Sequence, residues 1–171
     1  MIYEKIRDNV AETLSYIDLT KPYGTKLFDA LARVTISVAV EACALRKSSK
    51  TDEIEVFWRR RSMDDTAYPG EWHFPGSVMR PGETVEDVLR RLEKREFGTS
   101  ILSFDFVANL NNINEERGHF FTPVYLLELA DNAASSDTKG WFSITNLPIP
   151  VVGFHLNDLL PLVTKAFLNK K

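Results

Sequence analysis

The densest run of reactive side chains in this chain lies between Tyr68 and Gly98, in YPGEWHFPGSVMRPGETVEDVLRRLEKREFG. There Glu83, Glu86, Asp87, Arg90, Arg91, Glu93, Arg95 and Glu96 crowd together. Carboxylates and guanidinium groups three or four residues apart share one face of a helix, so their order decides which chemistry such a face can do. A second acidic pair, Glu115 and Glu116, stands in the polar stretch NNINEER. A carboxylate on such a loop can act as a general base, and a plain polar turn uses the same residues. His73 alternates with Trp72 and Phe74, so on a strand it points to the opposite face. It either lines a cleft or is a surface histidine. His119 and His155 have no companion at metal-ligand spacing and are read as structural. Cys43, within an apolar run, is read as a small core residue.

These residues need elements to hold them. Ile2, Ile6, Val10, Leu14 and Ile17 recur at steps of three or four, the stripe of an amphipathic helix. Pro22 and Gly24 break it, and a short helix carrying Leu27, Phe28 and Leu31 follows. From Val34 the period changes: Val34, Ile36, Val38 and Val40 alternate, predicting a strand to about Leu45. KSSKTDE is a polar turn and IEVFWRR the returning strand. ILSFDFVANL and HFFTPVYLLEL are two further strands, with Pro123 expected at an edge or a bulge because it cannot donate to a ladder. DNAASSDTKG is a loop, GWFSI a short strand, and HLNDLLPLVTKAFL a helix with Leu156, Leu159, Leu160, Val163 and Phe167 on one side and Pro161 in the first turn.

The helix at the centre is written with unusual completeness. Thr84 is its N-cap and Asp87 completes a capping box. Val85, Val88, Leu89 and Leu92 form the apolar stripe. Glu86 and Asp87 near the start, and Lys94 and Arg95 near the end, suit the helix dipole. Gly98 supplies the left-handed stop.

The length, 171 residues, is that of one ordinary domain. A formal net charge of -3 gives no bulk attraction to nucleic acid, so no nucleic-acid partner is expected. No apolar run approaches the ~20 residues that span a bilayer, so no membrane association is expected. The first residues, MIYEKIRDNV, contain no signal-peptide core. With a single cysteine the chain can form no internal disulfide, and a cytoplasmic location is expected.

The flanks of the central helix carry a family pattern. FPGS, a short strand, RPGE and a charged helix ending in glycine resemble the Nudix superfamily, whose signature is G-x5-E-x7-R-E-U-x-E-E-x-G-U with U aliphatic. Laid on this chain, the box runs from Ser77 to Thr99. Glu83, Arg91, Glu96 and Gly98 match it. Ser77 replaces the first glycine, Leu92 the glutamate after Arg91, Arg95 the first glutamate of the later pair, and Thr99 the last aliphatic. Glu93 takes the inner aliphatic position. The resemblance covers about 34–167 and implies an α/β (α+β) fold: an α/β/α sandwich with a mixed β-sheet. Residues 1–34 form a helical N-terminal extension and 35–171 the Nudix-like domain.

The resemblance also implies chemistry. Nudix enzymes cleave a nucleoside diphosphate linked to another group, with Mg²⁺ or Mn²⁺ held by carboxylates of the box. Here three glutamate positions read Leu92, Arg95 and Glu96. The candidate catalytic residues are Glu96, Glu93 and Arg95, with Glu96 and Glu93 as metal ligands. Glu93 reaches that face only through a local distortion such as a π-bulge, and Arg95 can instead bind phosphate directly. Glu83, Arg91 and Gly98 are the motif's scaffold. Arg60, Arg61 and His73 are candidate substrate contacts, and Glu115 and Glu116 candidate general bases. Two functions are compatible with these residues: a weakly metal-binding Nudix pyrophosphohydrolase, or a catalytically inactive module on the same fold that binds a nucleotide, a phosphorylated metabolite or a protein. The apolar stripe of the first helix has to be buried either on the domain itself or on a second copy of the chain, and a homodimer is the expectation.

Overall fold

The computed structural model describes residues 2–19, 21–130, 133 and 135–170. Its order is α1 (Ile2–Ser15), α2 (Gly24–Ala32), β1 (Ile36–Lys47), β2 (Ile54–Arg60), β3 (Trp72–His73), β4 (Gly76–Val78), α3 (Val85–Leu92), β5 (Ile101–Glu115), β6 (Gly118–Leu129), β7 (Lys139–Ser143) and α4 (Leu160–Asn169), with π-helical turns at Glu93–Phe97 and His155–Leu159.

Strand β1 explains the layering. Its residues from Ala39 to Leu45 are buried, Glu41 excepted, as expected of a strand covered on both faces. Val40, Ala42 and Ala44 pack with Val88, Leu89, Leu92 and Phe97 of the central helix. Cys43 and Leu45 pack with Trp58, Phe74, Leu159 and Val163 on the other side. The sheet is therefore held between α3 and α4. Burying a side chain of Leu or Phe size stabilises by ~1.5–3 kcal/mol, so these two clusters fix where the central helix sits.

The sheet runs β3-β2-β1-β6-β5, with β4 also paired to β1 and β7 to β2. Only β1 and β6 are parallel among the named pairs, which makes the sheet mixed. β1 forks. Its C-terminal end, Leu45 to Lys47, pairs with β2, whereas Ala39 to Glu41 pair with β4. The space opened at this fork becomes the cleft described below.

Several local expectations change. The polar stretch expected as a loop before Gly118 is strand: β5 continues through Glu115 and pairs Asn111 with Phe121, because alternating contacts along the hairpin continue past the apolar run. Pro123 lies in an interior strand rather than at an edge. The β1–β6 ladder passes from Val38↔Phe121 to Glu41↔Val124 around it, Asn109 of β5 stands opposite it, and β5 carries an irregularity just beyond, between Phe106 and Ala108. Leu156 is 38% exposed, because the π turn at His155–Leu159 shifts the helical phase before α4 begins. Of the loop expected over 131–140, positions 131, 132 and 134 lie outside the described residues. Helix α1 buries none of its residues, whereas α2 packs Phe28 beside Ala32, Ala39 and Phe120.

Candidate functional site

The turn before α3 is built as its residues dictate. The Thr84 hydroxyl accepts from the Asp87 backbone N–H and the Asp87 carboxylate accepts from the Thr84 N–H, closing the capping box. Glu83 accepts from the Arg80 backbone at 2.8 Å and from both Nε and Nη2 of Arg91, at 3.0 and 2.7 Å. Arg91 also donates to the Ser77 hydroxyl and to the Val78 carbonyl. One guanidinium thus ties the loop, β4 and the helix together. Burial raises the Glu83 pKa, but the hydrogen bonds from Arg91 and Arg80 outweigh it and the net shift is downward. The hydroxyl of Ser77, at the position of the signature's first glycine, gives Arg91 an extra acceptor.

Beyond Leu92 the helix widens into a π turn, with the Gly98 N–H donating to the Glu93 carbonyl at 2.8 Å and Gly98 in the left-handed region at φ 70°. The helix therefore has the kind of distortion that could have brought Glu93 to the metal face. It carries Glu93 elsewhere: Oε1 accepts from the Ile101 backbone N–H at 2.6 Å, at the start of β5. Glu96 pairs with Arg59 at 2.9 Å, and the Glu96 and Phe97 carbonyls accept from Lys139. Leu92 is 2% exposed and lies in the core with Val88 and Leu89. Arg95 alone of these four positions lines the cleft. The box positions expected to hold Mg²⁺ or Mn²⁺ are dispersed to the core, the cleft, the Arg59 side and β5. No group of three metal-ligating side chains occurs among the described residues. The donors of this helix do not fit a divalent cation.

The cleft itself has a volume of about 500 Å³, within the range of small-molecule sites. It lies at the fork of β1, walled by α2, by the loop after β2 and by the ends of β5 and β6. Five arginines reach it, Arg61, Arg80, Arg91, Arg95 and Arg117, and so do the aromatic rings of Tyr23, Phe28, Tyr68, Phe120 and Phe154. Asp65 organises one wall. It accepts from the Ala67 and Tyr68 backbone N–H groups at 3.0 and 2.9 Å, from Arg61 at 2.9 Å, and from Arg117. Burial opposes ionisation of Asp65, but these bonds hold its pKa far below the usual carboxylate range. Arg61 and Arg117 lie 5.7 and 5.8 Å from the Tyr68 ring centre.

The floor is less fully paired. Glu41, on β1, faces the cleft with its Oε2 sealed from solvent and without a hydrogen-bond partner among the described residues. Burial pushes its carboxyl well above the usual range; Arg61 draws it down and Glu115 adds to the rise. His73 and His155 line the same cleft, with ring centres 5.9 Å apart. The Phe74 N–H donates to Nδ1 of His155 at 3.1 Å. Burial, then Arg61, pulls the His155 pKa down to about 3, and burial lowers His73 too, so both rings are neutral near pH 7.

Of the residues singled out from the sequence, the fold brings Arg61, His73, Arg91, Arg95 and Glu115 to the cleft. Arg60 is turned away, donating to the Gly70 carbonyl at 2.9 Å, and Glu116 is exposed in the β5–β6 turn. Glu83 stands behind Arg91, and Gly98 ends the helix. The sequence reading missed Glu41, Asp65 and Arg117. A signal existed for Glu41: it is a lone acid inside an otherwise apolar central strand. Asp65 and Arg117 come from separate loops and had none.

No family model matches the chain, and no curated protein matches it. Solved structures do. NrtR of Shewanella oneidensis superposes with a TM-score of 0.65 at 20% identity, covering 77% of this chain and 63% of that one; it is also seen complexed with a 27mer DNA. The Nudix domain of the same protein, complexed with ADP ribose, gives 0.61 at 19% identity over 92% of this chain and 97% of that one. A MutT/Nudix family protein of Listeria innocua gives 0.62 at 17% identity over 78% and 96%. This chain thus spans about three fifths of the NrtR chains it matches. Its fold is the Nudix fold.

Proposed function

We propose that this Nudix-fold chain is a binding module whose cleft takes a nucleotide or another phosphorylated small molecule, without turning it over at an ordinary enzymatic rate. The observation that carries this reading is Arg95: the box helix offers the cleft a guanidinium where the signature has a carboxylate, while Leu92 is in the core and Glu96 is held by Arg59. A guanidinium binds phosphate oxygens directly and does part of a metal's charge work. The aromatic rings along the same cleft suit a base or sugar. ADP-ribose, the ligand of the NrtR domain, is the natural first probe.

The test is calorimetric titration with ADP-ribose, nucleotide sugars and nucleoside triphosphates in EDTA and then in Mn²⁺, beside a phosphate-release screen of the same compounds. Binding that survives EDTA, with no turnover, is expected. Hydrolysis at roughly 1 per second or faster restores the pyrophosphohydrolase reading, and failure of every compound to bind removes the module reading. The same reading includes a cytoplasmic protein and a homodimer, in which Ile2, Ile6 and Val10 of α1, at 81, 56 and 51% exposure, pack against a second copy. Light scattering at tens of micromolar tests the dimer, and a monomer removes it.

A further inference from the structure

Two carboxylates of the cleft, Asp29 and Glu41, each have an oxygen sealed from solvent without a hydrogen-bond partner among the described residues; Asp29 has Arg117 at 3.7 Å, whereas Glu41 has no cation at ion-pair distance among the described residues. Glu41 stands opposite Gly76 in the β1–β4 pair. A Cβ on residue 76 would lie 2.6 Å from Oε2 and 2.7 Å from Oε1, so the carboxyl occupies the space that only a glycine leaves free. Oε2 is out of solvent with no hydrogen-bond partner among the described residues. The cation best placed to pair with it, Arg61, is bonded instead to Asp65 at 2.9 Å. Glu115, on the end of β5, adds negative charge to the same cleft. Leaving a buried polar group unpaired is destabilising, and the neighbours of Glu41 on β1, Val40 and Ala42, are apolar. An apolar residue would continue the strand.

A group held unpaired inside a binding cleft takes its partner from the ligand. Burial raises the carboxyl's pKa well above the usual range, and in its protonated form a carboxyl lining a cleft has one O–H donor beside one C=O acceptor. The complement of that pair is a planar edge with an N–H beside an acceptor.

We propose that Glu41 is the specificity-determining residue of the cleft, selecting ligands that carry an amide- or amidine-type edge, such as a nucleobase or a carboxamide. This rests on the binding-module reading above and adds to it the part of the ligand that is read: the arginines hold phosphate, and Glu41 reads the nitrogenous end.

Four probes test it by calorimetry: ADP-ribose, its analogue with purine in place of adenine, nicotinamide mononucleotide and nicotinic acid mononucleotide. The purine analogue lacks the exocyclic N–H, and the nicotinic acid compound lacks the carboxamide. The wild-type protein is expected to prefer the edge-bearing member of at least one pair by ~10–100-fold, the loss that follows from leaving a site's polar group unmatched. The pair that shows it identifies nucleobase or carboxamide as the source. Glu41→Gln keeps a donor beside an acceptor and should keep the preference. Glu41→Leu should bring the two members of the pair within ~3-fold, and should melt no lower than wild type because it removes an unpaired polar group. A preference absent from the wild type, or unchanged in Glu41→Leu, overturns the assignment of Glu41 and leaves the module reading standing. Glu41→Leu melting well below wild type makes the residue structural and overturns it too. Failure of all four probes to bind the wild type overturns the assignment of Glu41, and the module reading then stands or falls on the nucleotide-sugar and nucleoside-triphosphate titrations above.

Discussion

Replacing Arg91 with methionine should loosen the whole box while leaving its core packing in place, because the methionine keeps the aliphatic stem. Arg91 makes two bonds to Glu83 and further bonds to Ser77 and Val78, and the Arg91 and Glu83 side chains are only 14% and 18% exposed. Breaking a fully buried pair by removing one partner costs ~3–5 kcal/mol. Partial exposure lowers this, since water reaches the abandoned Glu83, and the expected loss is about 2–3 kcal/mol. For a domain of this size that corresponds to roughly 5–10 °C in melting temperature. Urea unfolding followed by fluorescence of Trp58 and Trp72, both buried, measures it. Glu83→Gln adds a pH signature. The folded pKa of Glu83 lies below the unfolded value near 4.5, so its ionisation stabilises the fold above about pH 4.5 and the contribution disappears as pH falls through the folded pKa. Glu83→Gln should remove that component of acid sensitivity. A loss below about 0.5 kcal/mol in Arg91→Met, together with an unchanged acid limb in Glu83→Gln, would show that the network merely decorates a turn held by the capping box.

Leu92→Glu, the change that restores one signature carboxylate, should destabilise by ~3–5 kcal/mol in urea titrations, because Leu92 is in the core and an unpaired charge there has no partner. Arg95→Glu should leave the fold intact by circular dichroism and weaken binding of any phosphorylated ligand by at least ~10-fold, a cation in the cleft having become an anion. His155 has a folded pKa of about 3, below the unfolded ~6.5. Stability should therefore fall as pH drops from about 6.5 towards 3, by up to ~1.4 kcal/mol per pH unit for this group, and His155→Asn should flatten that slope by one proton's worth. Asp65→Ala should release Arg61 and leave Arg117 with only Asp29 and Glu115, lower the melting temperature by several degrees and weaken ligand binding, as read by differential scanning fluorimetry and calorimetry.

The sequence by itself determined the parts of this protein that depend on local order. The period change at Val34 announced β1, Thr84 with Asp87 announced the start of α3, and Gly98 its end, since capping, alternation and left-handed stops act over a few residues. The spacing of Glu83, Arg91, Glu96 and Gly98 carried the fold resemblance, and the run of Val88, Leu89 and Leu92 already said that Leu92 belonged to the core. Tertiary structure decided what those residues face. A π turn adds a residue to the helical cycle, and from that point the side chains no longer fall where a 3.6-residue period puts them. Glu93 goes to the β5 backbone, Glu96 meets Arg59 from another strand, and Arg95 is left facing the cleft. The cleft is likewise a product of long-range pairing. Glu41, Asp65, Arg117 and α2 are remote in sequence and converge because β1 forks between β2 and β4 and runs parallel to β6. Hydrophobic burial on both faces of β1 fixes that arrangement; the lone acid in β1 was a local sign of Glu41, but no local pattern pointed to Asp65 or Arg117.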